Sequence, residues 1–331
     1  MIESLCVAVS RREAEDARRK LAEKHLLRTD LKIISDERYV YIPVSGEVDI
    51  ESAVMKKMYF EKIERRESFR DAIKKFLGES KISSFDIVGD IAIVRIPPEL
   101  KEHESEIGNT ILSTHKSIKV VCADDGVKDD YRIRNVRVIA GENRTETTHV
   151  EYGARIRLDI SKVYYSPRLA TERYRVAKCV KEGERVIDMF AGVAPFSILI
   201  AKLSKPSRVY AIDINPHAVE YARLNSRENR VDDIIEVIEG DAREVVPSLE
   251  KADHVIMNLP HSSHEFFSLA VNAGSNIHYY EIIEKDKVKD RIENLKNEAI
   301  EEGKKADVKN WRIIGGYSPS KVKIGVDFII R

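Results

Sequence analysis

Four short motifs in the second half of the chain place glycine or hydrogen-bonding residues directly after apolar runs. They are DMFAGVAPFS (188–197), AIDINPHA (211–218), IEGDARE (238–244) and MNLPHSSH (257–264). Gly192 in the first motif lets the backbone pass close to a ligand, and Phe190 can cover one face of that ligand. Pro195 and Pro216 are placed to open helices. These residue types predict binding of a small polar molecule rather than a purely structural turn.

The spacing of the motifs suggests that the small molecule is a nucleoside. Asp213 lies 21 residues after Gly192, and a carboxylate there can accept both hydroxyl hydrogens of an adenosine ribose. Asp241 is placed to accept from an adenine amino group. Asn258 follows the fourth apolar run and is held by a nearby proline. Each residue alone is also common at strand-to-helix corners, so the prediction rests on all four motifs together.

The glycine pattern distinguishes between nucleoside ligands. A dinucleotide site uses GxGxxG, because several glycines let backbone amides surround a pyrophosphate. Here Gly192 is followed by Ala194 two residues later, so a pyrophosphate would be poorly held. S-adenosylmethionine contains an adenosine and no phosphate, and it fits this motif better.

The motifs lie where apolar strands and amphipathic helices alternate, from about residue 157 onward. This rhythm predicts a parallel sheet with crossover helices, a Rossmann-like α/β domain over 157–331. Ligands of such sheets bind beyond the carboxyl ends of the strands, which is where the four motifs fall.

The first half of the chain predicts smaller units. Residues 1–60 read as a small N-terminal α/β module, and the charged stretch 61–75 reads as a linker that runs into a helix. Residues 76–156 read as a middle α+β domain. Within it, the apolar runs around Gly89 and Asp90 predict a hairpin.

The charge distribution, the cysteine spacing and the length of the apolar runs limit the class of protein. The 331 residues carry no formal net charge, but 132–175 is a basic island of nine arginines and one lysine against five acids. Its positive charge could contact an anionic partner. Cys6, Cys122 and Cys179 are far apart, which argues against a disulfide framework or a zinc site. The sequence lacks a run of about 18 apolar residues, and we expect a cytoplasmic monomer that does not enter a membrane.

The motifs together resemble a known family. DMFAGVAPFS, AIDINPHA, GDARE and NLPHSSHEFF, with VYYSPRLATERYR and YRIRNVRVIAGENRT, closely resemble the archaeal tRNA (guanine-37-N1)-methyltransferases. The resemblance covers nearly the whole chain. It implies a Rossmann-like class I methyltransferase domain with a smaller α+β domain before it and a separate N-terminal module that contacts tRNA. The chain departs from the family at Ala194, where a GVGP form of the motif has glycine.

The resemblance implies methyl transfer from S-adenosylmethionine to N1 of the guanine that follows the anticodon, with tRNA as partner. Neutral guanine carries a proton on N1, so a base must remove it and the charge that moves toward O6 must be stabilised. Glu172, near Arg168, Arg173 and Arg175, is the candidate base. Its arginine neighbours would lower its pKa and burial would raise it. Arg132 is the candidate for stabilising O6.

Further site residues follow from the resemblance. Asn258 is expected to orient the guanine edge or the methionine end of the cofactor. Tyr164, and less directly Tyr165, could stack on the guanine. The remaining expected cofactor contacts are Arg173, Phe190, Gly192, Asp213, Ile214, Asp241, Ala242 and Pro260. The remaining expected tRNA contacts are Arg168, Arg134 and Arg144.

Several alternatives stay open from the sequence. Glu172 could be half of an ordinary Arg–Glu surface pair at a helix start, and Arg132 a charge on a strand face. The spacing of His261, His264 and His278 matches no zinc pattern, and no metal is expected. The NLP segment could instead serve methylation of an exocyclic amine, and a related branch methylates the tricyclic base wyosine; NLPHSSH favours the N1-only branch. A non-catalytic RNA-binding protein is the alternative outside enzymes.

Overall fold

The computed structural model describes residues 1–50, 53–63, 69–77, 82, 84–128 and 133–331. The chain divides into two units, Met1–Asp71 and Ala72–Arg331. The finer division into four parts stays a prediction. Among the described residues, no helix is both long enough and apolar enough to cross a bilayer.

The first unit is a four-stranded sheet with one packed helix. Its elements are β1 (Ile2–Ser10), α1 (Ala14–Glu23), β2 (Ile34–Ser35), β3 (Tyr39–Val44) and β4 (Val54–Phe60), and the strand order is β2-β3-β1-β4. β1 is buried on both faces because alternate residues pack into two separate clusters. Val7 and Val9 pack with Leu21 of α1, whereas Cys6 and Ala8 pack with Phe60.

The second unit begins with a smaller α+β part. Its elements are α2 (Phe69–Leu77, which starts in the first unit), β5 (Asp86–Val88), β6 (Ile91–Val94), α3 (Glu104–Thr114), β7 (Val120–Lys128) and β8 (Ile133–Gly141). The sheet order is β5-β6-β7-β8. β5 and β6 form the predicted hairpin. Its turn needs Gly89, whose φ is +58° and whose Cβ would lie 2.1 Å from the Thr147 hydroxyl oxygen.

A hairpin and a seven-stranded sheet complete the second unit. The elements are β9 (Glu146–Glu151), β10 (Ala154–Asp159), α4 (Ala170–Cys179), β11 (Arg185–Asp188), α5 (Pro195–Ser204), β12 (Arg208–Asp213), α6 (Pro216–Glu228), β13 (Ile235–Glu239), α7 (Ala242–Val245), β14 (Ala252–Met257), α8 (Phe267–Ala273), β15 (Gly274–Glu284), α9 (Val288–Glu301), β16 (Ala306–Gly316) and β17 (Lys321–Ile330).

The strand order of the large sheet is β13-β12-β11-β14-β15-β17-β16. Neighbouring strands from β13 to β15 run parallel, and β17 is antiparallel to both β15 and β16. The order reverses between β11 and β14, which makes the carboxyl ends of these two strands the expected ligand edge. This is the Rossmann-like class I methyltransferase arrangement, so the predicted fold class is confirmed.

Both faces of this sheet are covered by helices. One apolar cluster joins the sheet to α4, α5 and α6, and a second joins it to α7, α8 and α9. Val186 and Ile187, adjacent on β11, point into different clusters. A strand buried on both faces reads as a continuous apolar run, as in VIM of β14, whereas the edge strand β13 (IEVIE) is interrupted by the exposed Glu236.

Candidate active site

The loop that follows β11 is hydrogen-bonded to the end of β12. The backbone N–H of Gly192 donates to Asp213 Oδ2 at 2.6 Å, and the N–H of Asn215 donates to Asp213 Oδ1 at 2.9 Å. Each carboxylate oxygen has a second lone pair, so Asp213 can still accept from two ribose hydroxyls. Burial raises the pKa of Asp213. The structure therefore brings Gly192 and Asp213 together, as the sequence predicts.

Asp188, at the end of β11, has an unsatisfied oxygen. Its side chain is buried, and Ser197 Oγ donates to Oδ2 at 2.8 Å. Oδ1 is buried and has no hydrogen-bond partner among the described residues. Burial raises the pKa of Asp188 to about 7. A buried acceptor without a partner, beside a glycine loop, suits a polar ligand that completes the hydrogen bond.

The loop after β11 holds two residues in the left-handed backbone region. Gly192 has φ +57°, and a Cβ built there would meet nothing nearer than the Tyr164 carbonyl oxygen at 3.9 Å. Ala194 has φ 63° and is buried. An alanine in this conformation costs about 1 kcal/mol. The departure from the family motif therefore keeps the turn and adds strain to it.

Gly192→Ala tests whether the open space beside this glycine holds a ligand. We expect about 1 kcal/mol less stability to urea because of the left-handed φ. We also expect S-adenosylmethionine to bind at least roughly tenfold more weakly, about 1.4 kcal/mol, by calorimetry. Gly303→Ala is the matched control, because Gly303 has φ +69° and nothing within 4 Å. Equal affinities for the two variants would contradict a ligand beside Gly192.

Other expected cofactor residues line the same edge of the sheet. Phe190 packs edge-to-face on Phe266, with ring centroids 4.9 Å apart. Asp241 is the N-cap of α7, and its Oδ1 accepts from the Arg243 backbone N–H at 2.8 Å. Ala242 is buried, whereas Ile214 is 51% exposed. These residues follow β11, β12 and β13, so they share the carboxyl edge with Asp213.

The NLP turn after β14 is fixed by hydrogen bonds. The Pro260 carbonyl accepts from the Ile282 N–H at 2.7 Å, and Ser263 Oγ donates to the Met257 and Leu259 carbonyls at 3.0 Å. Asn258 Oδ1 lies 3.2 Å from Lys323 Nζ. Since an ammonium group only donates, the Asn258 amide N–H groups are oriented away from Lys323 and are placed to donate elsewhere.

Glu172 lies in the first turn of α4 and is almost fully buried. Its carboxylate accepts from Arg175 at 2.8 Å, from the Tyr280 hydroxyl at 2.8 Å and from Arg312. Burial works to raise the pKa of Glu172, but hydrogen bonds from Arg312 and Arg175 outweigh it, and the pKa is lowered to about 2. The sequence did not decide whether burial or the arginines would dominate the pKa of Glu172, and in the structure the arginines dominate.

The arginines expected around Glu172 differ from those observed. Arg175 contacts it, but Arg173 is buried and pairs with Glu151, 2.5 Å between Nε and Oε1. The other contact is Arg312 on β16, 140 residues away in sequence. The expectation that Arg168 and Arg173 surround the candidate base is therefore wrong.

Glu172 and Asn258 are connected through Tyr280 and Lys323. The Tyr280 hydroxyl donates to Glu172, and Lys323 Nζ lies 5.9 Å from the centre of the Tyr280 ring while it contacts Asn258. The two candidates come from α4 and from the turn after β14. The fold thus links them through two intervening side chains.

The basic island is partly neutralised by acids from outside it. Arg134 and Arg168 both contact Asp86, at 3.0 and 2.8 Å, and Arg144 contacts Asp90 at 2.6 Å. Sequence counting missed these partners because they come from the β5–β6 hairpin. The structure does not bring Arg144 together with Glu172, and the role of these arginines in tRNA binding stays a prediction.

The two tyrosines differ in exposure. Tyr164 is 44% exposed, beside Gly192, and remains a candidate for stacking. Tyr165 is buried, and its hydroxyl donates to Glu151, so the expectation that it could stack on a base is wrong. Arg132 lies outside the described residues. No group of three metal-binding side chains occurs among the described residues.

Comparison with known proteins identifies the family. Residues 147–309 match the TRM5/TYW2 methyltransferase domain, 66–145 the TYW2 N-terminal domain and 6–52 the tRNA methyltransferase 5 N-terminal domain. The chain is 42% identical to tRNA (guanine(37)-N(1))-methyltransferase Trm5b of Pyrococcus abyssi, over 98% of each chain. The chain belongs to the TRM5/TYW2 methyltransferase family. The resemblance drawn from the sequence is confirmed.

Other TRM5/TYW2 relatives support the same placement. The Trm5b of Methanocaldococcus jannaschii is 38% identical over 99% of each chain. A tRNA 4-demethylwyosine(37)-methyltransferase, Taw21 of Saccharolobus solfataricus, is 36% identical over 73% of this chain and 92% of its own. The two Trm5b relatives, which match nearly the whole chain, are both named as guanine-37 enzymes.

Solved structures of this family share the fold. Trm5b from Pyrococcus abyssi superposes with a TM-score of 0.78 at 40% identity, covering 99% of each chain. A complex of aTrm5 with tRNALeu gives 0.73 at 35% identity, covering 99% of this chain and 100% of that one. Methanocaldococcus jannaschii Trm5 in complex with adenosine gives 0.68 at 36%, covering 98% and 99%.

Proposed function

We propose that the protein transfers a methyl group from S-adenosylmethionine to N1 of guanine 37 in tRNA. The observation that carries this proposal is that the chain is 42% identical to a Trm5b enzyme over 98% of each chain, and the link from Glu172 through Tyr280 and Lys323 to Asn258 supports it. The carboxyl edge of the large sheet holds Gly192 and Asp213.

The residues of the carboxyl edge fit S-adenosylmethionine. Asp213 has acceptor capacity for the ribose hydroxyls, and Asp188 Oδ1 needs a donor. Phe190 and Ile214 supply apolar surface, while Asp241, Ala242 and Pro260 follow neighbouring strands. Arg173, already bonded to Glu151 and Ser166, can add at most a minor contact. S-adenosylmethionine supplies a methyl group that its positive sulfur already activates.

The chain itself must manage the proton of guanine N1. Glu172 accepts this proton, and the electron pair left on N1 would form the new bond to the methyl carbon while the carbon–sulfur bond of S-adenosylmethionine breaks and leaves its electron pair on sulfur. Arg132, in the motif YRIRNVR, stabilises the charge that moves toward O6. The amide N–H groups of Asn258, directed away from Lys323, position the base edge. Tyr164, Arg134, Arg144 and Arg168 are proposed tRNA contacts.

Labelled methyl transfer to tRNA transcripts that differ only at position 37 tests the substrate. We expect incorporation into the transcript with guanine 37 and background incorporation when adenine replaces it, because adenine N1 has no proton to remove and adenine has no O6. Equal labelling of both transcripts would contradict methylation at position 37.

The N-terminal unit is proposed to contact tRNA at a distance from position 37. Deleting residues 1–60 removes the whole β2-β3-β1-β4 sheet and leaves the methyltransferase sheet intact. We expect unchanged S-adenosylmethionine affinity by calorimetry and a lower kcat/KM for full-length tRNA. Unchanged turnover at limiting enzyme would contradict this role. We further propose that the protein acts as a monomer in the cytoplasm. Light scattering of the purified chain tests whether it is a monomer.

A further inference from the structure

Glu172 shares both of its arginines with a second buried carboxylate, Asp327 on β17. Arg175 Nη2 lies 2.8 Å from Glu172 Oε1 and 3.0 Å from Asp327 Oδ1. Arg312 Nε lies 3.1 Å from Glu172 Oε2, and its Nη1 lies 2.8 Å from Asp327 Oδ2. Two guanidinium groups therefore bridge two carboxylates, in a cluster brought together from α4, β16 and β17.

Asp327 is also the end of a hydrogen-bonded row that crosses the sheet. His278 Nδ1 lies 2.7 Å from Asp327 Oδ1, His278 Nε2 lies 3.0 Å from His254 Nδ1, and His254 Nε2 lies 3.0 Å from Glu184 Oε2. The planes of the two imidazole rings are parallel within 1°. Both histidines are buried, so each of these contacts needs a hydrogen.

The hydrogen bonds of the row fix how many hydrogens it holds. Three hydrogen bonds along the row need three hydrogens, whereas two neutral imidazoles carry two. Burial, together with the charge of His278, lowers the pKa of His254 to about 4.

Three acids, two arginines and the histidine pair make up the cluster. The acids are Glu172, Asp327 and Glu184, and the arginines are Arg175 and Arg312. Tyr280 donates to Glu172, and Lys323 lies beside the Tyr280 ring. Burying an ionised group without a partner is unfavourable. Removing one charge from the cluster therefore changes the electrostatic interactions of the groups that remain.

The arginines that Glu172 shares with Asp327 affect the proton affinity of Glu172. A carboxylate that interacts with two arginines, neither of which is shared with another acid, accepts a proton poorly. Such a carboxylate is a weak general base, because general-base efficiency follows proton affinity. We propose, on the basis of the proposed function, that Asp327 is a positioning residue of the methyl transfer, which holds Arg175 and Arg312 so that Glu172 stays in place and keeps enough proton affinity to act. His278 and His254 hold Asp327 from behind.

The sign of each substitution follows from the charges. In Asp327→Asn both arginines act on Glu172 alone, so the pKa of Glu172 falls and proton transfer slows. In Arg312→Met one positive charge is lost, so the pKa of Glu172 rises and activity is lost at a higher pH than in the wild type. In the double variant the lost negative and positive charges offset each other.

Single-turnover methyl transfer to full-length tRNA, measured against pH with saturating S-adenosylmethionine, tests the proposal. We expect the plateau of Asp327→Asn to fall about tenfold, the effect of one pKa unit on a completed proton transfer. We expect the acidic limb of Arg312→Met to move to higher pH. The double variant should recover most of the rate lost in Asp327→Asn.

A merely structural role for Asp327 gives a different result. Losses that multiply in the double variant, or a wild-type plateau for Asp327→Asn, would overturn the proposal. If Asp327→Asn does not fold, Arg312→Met decides alone, and an unchanged acidic limb counts against the proposal. Glu172→Gln distinguishes failure of the proposed function from failure of this inference. A near-normal rate for Glu172→Gln would rule out Glu172 as the base. A slow rate for Glu172→Gln together with a wild-type rate for Asp327→Asn would rule out only the role of Asp327.

Discussion

Glu172→Gln is expected to slow the chemical step of methyl transfer by roughly 10²-fold or more, within the usual contribution of a general base. Glutamine keeps the shape and can still accept from Tyr280 and the arginines, but it cannot take the N1 proton. Rapid-quench measurement of labelled methyl transfer to tRNA in a single turnover isolates this step. S-adenosylmethionine affinity, by calorimetry, should stay close to that of the wild type.

Glu236→Gln is the matched control for this experiment, because Glu236 is an exposed residue of β13. We expect that control to retain the wild-type rate. A near-normal rate for Glu172→Gln would assign proton removal to another group. A loss of cofactor affinity would instead mean that Glu172 shapes the cofactor pocket.

Asp213→Ala is expected to weaken S-adenosylmethionine binding by roughly 10- to 100-fold. The reason is the loss of charged hydrogen bonds, worth about 1.5–3 kcal/mol, and of the acceptor that holds the Gly192 N–H. Asp213→Asn keeps one acceptor oxygen and should lose less. Calorimetric titration of each variant with S-adenosylmethionine measures the difference.

The dependence of this binding on pH is a second readout. Burial raises the pKa of Asp213, and the ionised form is the one that accepts two hydroxyls. Affinity should therefore fall as the pH drops through that raised pKa, and Asp213→Asn should keep only the part of the fall that comes from Asp188, whose pKa burial raises to about 7. Wild-type affinity for Asp213→Ala would place the ribose elsewhere.

Much of the large sheet could be predicted from sequence because its signals are local. Continuous apolar runs gave the strands, and α5 and α6 begin at Pro195 and Pro216 as expected. The placement of Gly192 and Asp213 after two strands of the sheet followed from their spacing, whereas the hydrogen bond between them was not predicted. These features depend on residues within one strand–loop–helix unit, so one stretch of sequence carries them.

The contacts around Glu172 could not be predicted, because they join distant parts of the chain. Arg312 and Asp327 come from β16 and β17, and only the antiparallel placement of β17 beside β15 brings them to α4. Asp327 also receives His278 of β15, 49 residues away in sequence. Local charge counting cannot reveal such partners.

Identification of the methylated nucleoside tests the central claim most directly. Wild-type enzyme, S-adenosylmethionine and a tRNA transcript with guanine 37 are incubated, and the tRNA is digested to nucleosides for chromatography and mass spectrometry. Removal of a ring proton by Glu172 beside the cofactor predicts 1-methylguanosine as the product. N2-methylguanosine, or a methyl group on any other nucleoside, would contradict it.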